Sequence, residues 1–198
     1  MKNAKYLIGA IAALATLAIA TTAFAAVVIK GTKHDDVLTG TERNDLIMGR
    51  QGNDSINGLA GNDRLHGNQD NDSIDAGPGN DHAWGGYGND NVVGGDGNDV
   101  LRGRPGDDSL DGGNGNDRLW PGRGTDRQNG GDGDDVLHAL AADSDADTLS
   151  CGPGRDTAKV RGSERASTTF RGCETIVVVV TPSADDEAAE SDRDADAE

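Results

Sequence analysis

The sequence predicts an all-β solenoid, a fold in which short, similar coils stack along one axis. The first observation is an aspartate that recurs every nine residues, twelve times without interruption, between Gly31 and His138. The second is a branched aliphatic residue two positions after that aspartate in ten of the twelve rows, Ala83 and Gln128 being the exceptions. So short and regular a period is typical of repeat proteins, in which each unit buries its apolar residue only against its neighbours.

We number the places of each row from the residue five before the aspartate, so the aspartate is the sixth place and the aliphatic residue the eighth. Glycine holds the first place in all rows but two and the fourth place in nine. Glycines at both places are expected to allow positive φ angles and close approach of backbone or an ion. Asn or Asp at the fifth place is expected to form local turn bonds. The last three places predict a short strand whose middle side chain points inward.

Rows such as Gly94 to Arg102, which reads GGDGNDVLR, are similar to the nonapeptide of the RTX, or haemolysin-type calcium-binding, family. This resemblance covers residues 31–138 and implies a parallel β-roll, a right-handed two-sheet solenoid of about six coils of 18 residues. It also implies that calcium lies between the turns of successive coils, held by turn carbonyls and by the repeat aspartates. Calcium prefers six to eight oxygen ligands, so turns of this composition suit it.

The resemblance places rows eighteen residues apart on top of one another, which gives two columns of expected metal ligands. One column holds Asp36, Asp54, Asp72, Asp90, Asp108 and Asp126, and the other holds Asp45, Asp63, Asp81, Asp99, Asp117 and Asp135. The turn glycines expected to line the calcium sites are Gly52, Gly61, Gly79, Gly88, Gly97, Gly106, Gly115, Gly124 and Gly133. Six turns on each edge leave about five gaps, so the expected load is up to about ten Ca2+ ions.

Residues 1–25 have the pattern of a secretory signal peptide. Lys2 and Lys5 precede an apolar run, which ends in Ala23-Phe24-Ala25. We predict cleavage after Ala25, secretion to the extracellular space and no membrane span in the product. The alternative is an uncleaved membrane anchor, because the segment from Leu7 to Ala25 is almost long enough to cross a bilayer.

The predicted β-roll occupies residues 26–138, and the register breaks after it. Residues 139–182 are predicted to form degenerate repeats and a small C-terminal cap. Cys151 and Cys173 are the only cysteines, and an even pair in an exported chain predicts a disulfide bond that staples this cap. The segment from Glu174 to Val180 predicts a strand that covers the last coil. Residues 183–198 are acidic and alanine-rich and predict a disordered tail.

The composition indicates that folding depends on calcium. The formal net charge is −17 and aromatic residues make up only 3% of the chain. A strongly charged chain with few large apolar side chains cannot bury enough surface to fold unaided. A metal site that exists only in the folded state converts binding energy into folding energy. The same negative charge disfavours nucleic acid as a partner.

The outward ninth places differ between the two sets of rows. On the even rows they include Trp84, Arg102 and Trp120, and coil stacking would place Arg102 between the two indole rings. Aromatic rings and arginine suit a polysaccharide or an anionic cell-envelope component, so this is a possible ligand face. The other interpretation is that the face packs against the C-terminal segment or is merely solvated.

We predict no enzymatic activity, since the histidines His34, His66, His82 and His138 fall at turn or outward positions, where a solvated role is expected. No nucleophile elbow or HExxH motif is present in the sequence. The sequence therefore favours a secreted, calcium-dependent structural or binding module. The alternatives are an adhesin-like or matrix protein that binds through the Trp84, Arg102 and Trp120 face, and an accessory subunit of a separate enzyme.

Overall fold

The computed structural model describes residues 27–140, 145–163 and 165–179. The predicted signal peptide and the predicted acidic tail lie outside the described residues. Within them, no helix is long and apolar enough to span a membrane.

The described residues form two parallel sheets whose strands alternate along the chain. The nine-stranded sheet contains, in spatial order, β1 (Val28–Lys30), β3 (Leu46–Arg50), β5 (Arg64–Gln69), β7 (His82–Tyr87), β9 (Val100–Pro105), β11 (Arg118–Arg123), β13 (Val136–Ala139), β15 (Thr157–Arg161) and β17 (Thr175–Val179). The eight-stranded sheet contains β2 (Val37–Thr39), β4 (Ser55–Asn57), β6 (Ser73–Pro78), β8 (Asn91–Asp96), β10 (Ser109–Asn114), β12 (Arg127–Asp132), β14 (Thr148–Ser150) and β16 (Thr169–Arg171).

This arrangement confirms the predicted parallel two-sheet β-roll. Rows eighteen residues apart are in register, as in the pairing of Leu110 with Gln128 between β10 and β12. The number of coils is larger than the six predicted, because β14 to β17 continue both sheets and bring the total to about eight turns. The insertion after His138 only lengthens the register, so Arg127 pairs with Thr148, 21 residues later.

The core is a narrow stack of eighth-place side chains from both sheets. Residues such as Ile47, Leu65 and Leu101 are completely buried. Gln128 occupies one of these positions, and its Nε2 donates a hydrogen bond to the carbonyl oxygen of His138 at 2.7 Å. This bond offsets part of the cost of burying the glutamine amide.

The predicted disulfide is present between Cys151 and Cys173, whose Cα atoms lie 5.0 Å apart. Cys151 follows β14 and is completely buried, and Cys173 follows β16, so the bond joins successive coils at the end of the stack. Closing a loop of this length stabilises a fold by roughly 3 kcal/mol. The predicted strand is also present as β17, which pairs with β15 at the end of the nine-stranded sheet.

The turns use positive φ angles at the second and fourth places of the row, whereas we had predicted the first and fourth. In the row that begins at Gly94, Gly95 has φ 110° and Gly97 has φ 140°. Some second places hold larger residues in this conformation, including Leu59 and Arg104. The first-place glycine is required for a different reason, because the aspartate of its row and a carbonyl of the next coil approach its Cα closely.

Candidate metal sites

The repeat aspartates are buried in the turns at the two edges of the roll. From Asp45 onward each has at most 3% of its surface exposed. From Asp54 onward each Oδ1 accepts a hydrogen bond from the backbone amide of the aspartate one coil earlier, as in Asp90 N to Asp108 Oδ1 at 2.8 Å and Asp99 N to Asp117 Oδ1 at 2.8 Å. The stacking of rows eighteen residues apart is therefore fixed by side chains as well as by the sheets.

The fifth-place residues form a second column of bonds that runs in the opposite direction. Their side-chain oxygens accept from the amide one coil later, as in Asn98 N to Asn80 Oδ1 at 2.8 Å and Asn116 N to Asn98 Oδ1 at 2.8 Å. The predicted local turn bonds are therefore wrong, because these side chains bond between coils. In each turn, the sixth-place side chain therefore bonds to the coil before, and the fifth-place side chain bonds to the coil after.

The second oxygen of the buried aspartates has no hydrogen-bond partner among the described residues. This holds for the Oδ2 atoms of Asp54, Asp63, Asp72, Asp81, Asp90, Asp99, Asp108, Asp117, Asp135 and Asp156. A buried carboxylate oxygen without a partner is costly in a protein interior. A repeated set of such oxygens therefore indicates that a cation belongs beside them.

Seven of these oxygens lie near a backbone carbonyl of the next coil, in a space that a first-place glycine leaves open. They are the Oδ2 atoms of Asp54, Asp63, Asp72, Asp99, Asp108, Asp117 and Asp135. A Cβ placed on Gly94 would lie 2.5 Å from both Asp99 Oδ2 and the carbonyl oxygen of Gly112 in the next coil. A Cβ on Gly67 would likewise meet Asp72 Oδ2 and the carbonyl oxygen of Gly85. The first-place glycine thus leaves a cradle of carboxylate and carbonyl oxygens between successive coils.

Burial makes these carboxyl groups unfavourable as isolated anions. Desolvation raises the pKa of Asp99 to about 7, that of Asp72 to about 8 and that of Asp108 to about 9, and neighbouring aspartates raise the pKa values further. The hydrogen bond that each carboxylate accepts from a backbone amide lowers the pKa, but desolvation has the larger effect. A divalent cation in the cradle would favour the ionised form.

The donor set fits a hard cation rather than zinc or copper. Among the described residues, no three His, Cys, Asp or Glu side chains come together as a group that could hold a metal ion. One carboxylate oxygen with adjacent backbone carbonyls is instead an all-oxygen environment, which Ca2+ prefers and thiolate- or imidazole-binding metals do not. Ordinary structural zinc sites need four side-chain ligands.

The aspartate columns continue into Asp147, Asp156 and Glu174, which the sequence analysis did not assign as metal ligands. Asp135 N donates to Asp156 Oδ1 at 2.9 Å, and Asp156 N donates to Glu174 Oε2 at 2.8 Å. Asp147 is in the same column as Asp126, whose amide donates to it at 3.0 Å. The signal was present in the sequence, because Asp147 and Asp156 are nine residues apart and Glu174 follows eighteen residues after Asp156.

The predicted side-chain ladder is present on the outer surface of the nine-stranded sheet. The Arg102 guanidinium carbon lies 5.6 Å from the Trp84 ring centroid and 5.0 Å from that of Trp120. His66 stacks on the far side of Trp84, and His138 stacks on the far side of Trp120, each with centroids 4.4 Å apart. We call His66, Trp84, Arg102, Trp120 and His138 the aromatic ladder.

His138 is only 1% exposed, so its predicted solvated position is wrong. Trp120 covers one side of its ring, and Lys159 lies beside it in the next strand of the sheet. The chain that follows, Ala139 and Leu140, is also buried. The ladder therefore ends at a buried histidine beside β15.

The fold and these edges define a parallel β-solenoid with oxygen-lined turns suited to calcium. The family model for the RTX calcium-binding nonapeptide repeat matches the chain in four copies, at residues 30–65, 66–101, 93–128 and 120–158. The chain belongs to the RTX calcium-binding nonapeptide repeat family, whose repeats bind calcium. No curated protein sequence matches the chain.

Adding one methyl group at a first-place glycine is expected to disrupt a cradle. Gly94→Ala puts its Cβ against Asp99 Oδ2 and the Gly112 carbonyl, so the concentration of calcium needed for folding should rise roughly tenfold or more. The measurement is a calcium titration followed by far-ultraviolet circular dichroism. Gly162→Ala is the matched control, because its Cβ meets nothing closer than 3.7 Å. Equal midpoints for the two variants would contradict the assignment of the cradle.

Proposed function

We propose that the protein is a secreted, non-enzymatic structural module that folds when it meets extracellular calcium. The observation that carries the proposal is the repeated set of buried Oδ2 atoms without partners among the described residues, seven of which lie near a backbone carbonyl of the next coil. A chain with these groups is penalised when it folds without a cation and stabilised when a cation is supplied. Low calcium inside a cell would leave it unfolded, and calcium outside would close the coils.

The residues proposed to hold calcium are the sixth-place aspartates from Asp36 to Asp135, together with Asp156. From Asp54 onward Oδ2 would be the ligand, while Oδ1 keeps the coils in register by accepting from a backbone amide. In Asp36 and Asp45, Oδ2 accepts from the amides of Thr32 and Thr41, so these two would be the weaker ligands. The fourth-place glycines would shape the turn, because a Cβ at Gly97 or Gly115 would collide with the carbonyl of the coil before it. When bound, the calcium ion would supply positive charge that neutralises the buried carboxylates.

A second candidate function is an adhesin-like or matrix protein that binds a polysaccharide or an envelope component. The observation that favours it is the aromatic ladder, which places Trp84, Arg102 and Trp120 together on one surface. This function is compatible with the first, since calcium-dependent folding would assemble the ladder.

The test of the first function is a calcium titration of the purified protein from a chelated start, followed by far-ultraviolet circular dichroism. We expect a cooperative rise of β signal with calcium, because neighbouring coils share aspartate and carbonyl oxygens. Magnesium should not substitute, since it demands a smaller octahedral shell and gives up water reluctantly. A full β signal in chelator, or an equal response to magnesium, would overturn the proposal.

A further inference from the structure

The outer surface of the nine-stranded sheet carries basic residues and no acidic residue at its described outward positions. At the seventh and ninth places, the formally charged residues are Lys30, Arg64, Arg102, Arg118 and Lys159. At the second place, the charged residues in register are Arg50, Arg104 and Arg161. We call this surface the basic face. It is unexpected in a chain whose formal net charge is −17.

The opposite surface of the roll has no such bias. The charged residues at the outward seventh and ninth places of the eight-stranded sheet are Asp75, Asp111, Arg127 and Arg171, whose charges cancel. Charge is therefore sorted between the two surfaces. The consequence is visible at His82 on the basic face, whose pKa is lowered by burial and further by Arg102 and Arg64.

The aromatic ladder in the middle of the basic face does not offer open ring faces to a ligand. Trp84 has His66 on one face and Arg102 on the other, and Trp120 lies between Arg102 and His138. The indole Nε1 atoms of both tryptophans are also buried. Because both faces of each indole are already in contact within the protein, charge rather than ring stacking would dominate recognition by this face. Arg64 and Arg118, which flank the ladder, are exposed.

The spacing of cations on the basic face suits a single extended polymer whose negative charges lie several ångströms apart. Strands in a sheet are about 4.8 Å apart, so nine strands span roughly 38 Å, and the eight Lys and Arg residues average about one per 5 Å. Duplex DNA carries one negative charge per about 1.7 Å, a much higher density, and would also meet the acidic turns on both edges. An anionic membrane would also attract these cations, so the test includes vesicles that contain anionic lipid.

We propose that the basic face binds a linear anionic polysaccharide that lies along the axis of the roll. This inference rests on the proposed extracellular function and deepens its second candidate by naming the ligand class and the cations. The carboxylate or sulfate groups of the polymer would be held by Arg64 and Arg118, with Lys30 toward one end, and all three are exposed. Arginine is suited to these groups because its planar guanidinium binds them with two parallel hydrogen bonds.

Calcium would control this binding in two ways. Folding brings cations that are eighteen or more residues apart in sequence onto one surface. The bound ions would also neutralise the aspartates in the turns that border the basic face, which otherwise repel a polyanion. Polymer binding should therefore appear with the folded, calcium-loaded protein and not with the chelated chain.

The test is isothermal titration calorimetry of the full chain in calcium with chondroitin sulfate, with uncharged dextran as the control polymer. We expect chondroitin sulfate to bind and dextran not to bind, with an affinity that falls as salt is added. The double variant Arg64→Gln, Arg118→Gln should lose roughly tenfold or more in affinity. The double variant Arg127→Gln, Arg171→Gln changes the net charge equally on the opposite surface and should lose less than about twofold.

Four outcomes would overturn the inference. They are equal loss in the two double variants, no loss in either, equal binding of dextran, and tighter binding of duplex DNA or of vesicles that contain anionic lipid. Circular dichroism of each variant in calcium and in chelator is recorded alongside. A chain that folds without calcium but binds chondroitin sulfate through Arg64 and Arg118 would refute the folding switch and leave the ligand assignment standing. A chain that folds with calcium but binds no chondroitin sulfate would refute the ligand assignment and leave the folding switch standing.

Discussion

Replacing Asp108 by asparagine is expected to stabilise the calcium-free fold and weaken calcium binding at the same time. Burial raises the pKa of Asp108 to about 9, so its ionised form is strongly disfavoured inside the fold. Asparagine keeps an oxygen that can accept from Asp90 N, now 2.8 Å from Asp108 Oδ1, and removes the charge. The calcium-free fold should gain about 1 to 3 kcal/mol. The calcium midpoint should rise roughly tenfold or more, because one carboxylate oxygen is lost from a site.

Both effects are measured by denaturant unfolding in chelator and by a calcium titration of the same variant. Asp111→Asn is the matched control, because Asp111 lies three residues away on the outer surface and only accepts from Asn129 Nδ2. That variant changes the net charge equally, so a general charge effect would move both proteins together. A loss of stability in chelator for Asp108→Asn would show that its carboxylate stabilises the fold without a cation, contrary to the assignment.

Lowering the pH is expected to have opposite effects on the calcium-free and calcium-loaded protein. Desolvation raises the pKa of Asp63 and Asp117 to about 6 and that of Asp72 to about 8, well above the value of about 3.9 in an unfolded chain. The calcium-free folded state therefore binds more protons than the unfolded state. Its stability is fully present near pH 4 and is lost as the pH rises through about 6 to 9.

Calcium reverses the sign because it requires the ionised carboxylates, and protons compete with it. In chelator, the β signal should increase as the pH falls from about 8 to about 5. In a fixed, limiting calcium concentration, calcium should instead be released over the same range. The measurement is circular dichroism across pH in both solutions. Acidification that unfolds the chelated protein would contradict the buried, cation-free state of these carboxylates.

The regular part of the fold was predictable because one inward side chain per nine residues leaves few choices. The stacking of rows eighteen residues apart, which buries Ile47, Leu65 and Leu101 together, followed from the resemblance to the RTX family. The nine-residue period alone does not fix the number of rows in a coil. The disulfide was predictable for a different reason, because the chain has only two cysteines. The column of repeat aspartates followed from the same stacking.

What the period does not encode is the direction of side-chain bonds between coils. Asn98 is able to bond within its own turn, and only the distance to the next coil decides that it accepts from Asn116 instead. The burial of His138 was not predictable from its place in the row, because the ninth places point outward and its contact with Trp120 exists only in the folded sheet. The degenerate repeats after His138 were predicted, but not that they continue both sheets as full coils. The insertion and Glu174 each replace a consensus feature there, although the spacing continues the aspartate column.

The alternation of the two sheets limits how such a chain can change its length. Duplication or loss of eighteen residues adds or removes a whole coil and leaves every later row on its own surface, as the lengthened register between Arg127 and Thr148 also does. Duplication of nine residues would send every later row to the opposite sheet. If the duplication lay between Trp84 and Arg102, then Arg102 and Trp120 would leave the side that carries Trp84, and the basic face would end halfway along the roll. Insertion or loss of eighteen residues therefore keeps each outer surface continuous along the roll. Insertion or loss of nine residues divides both surfaces at the point of the change.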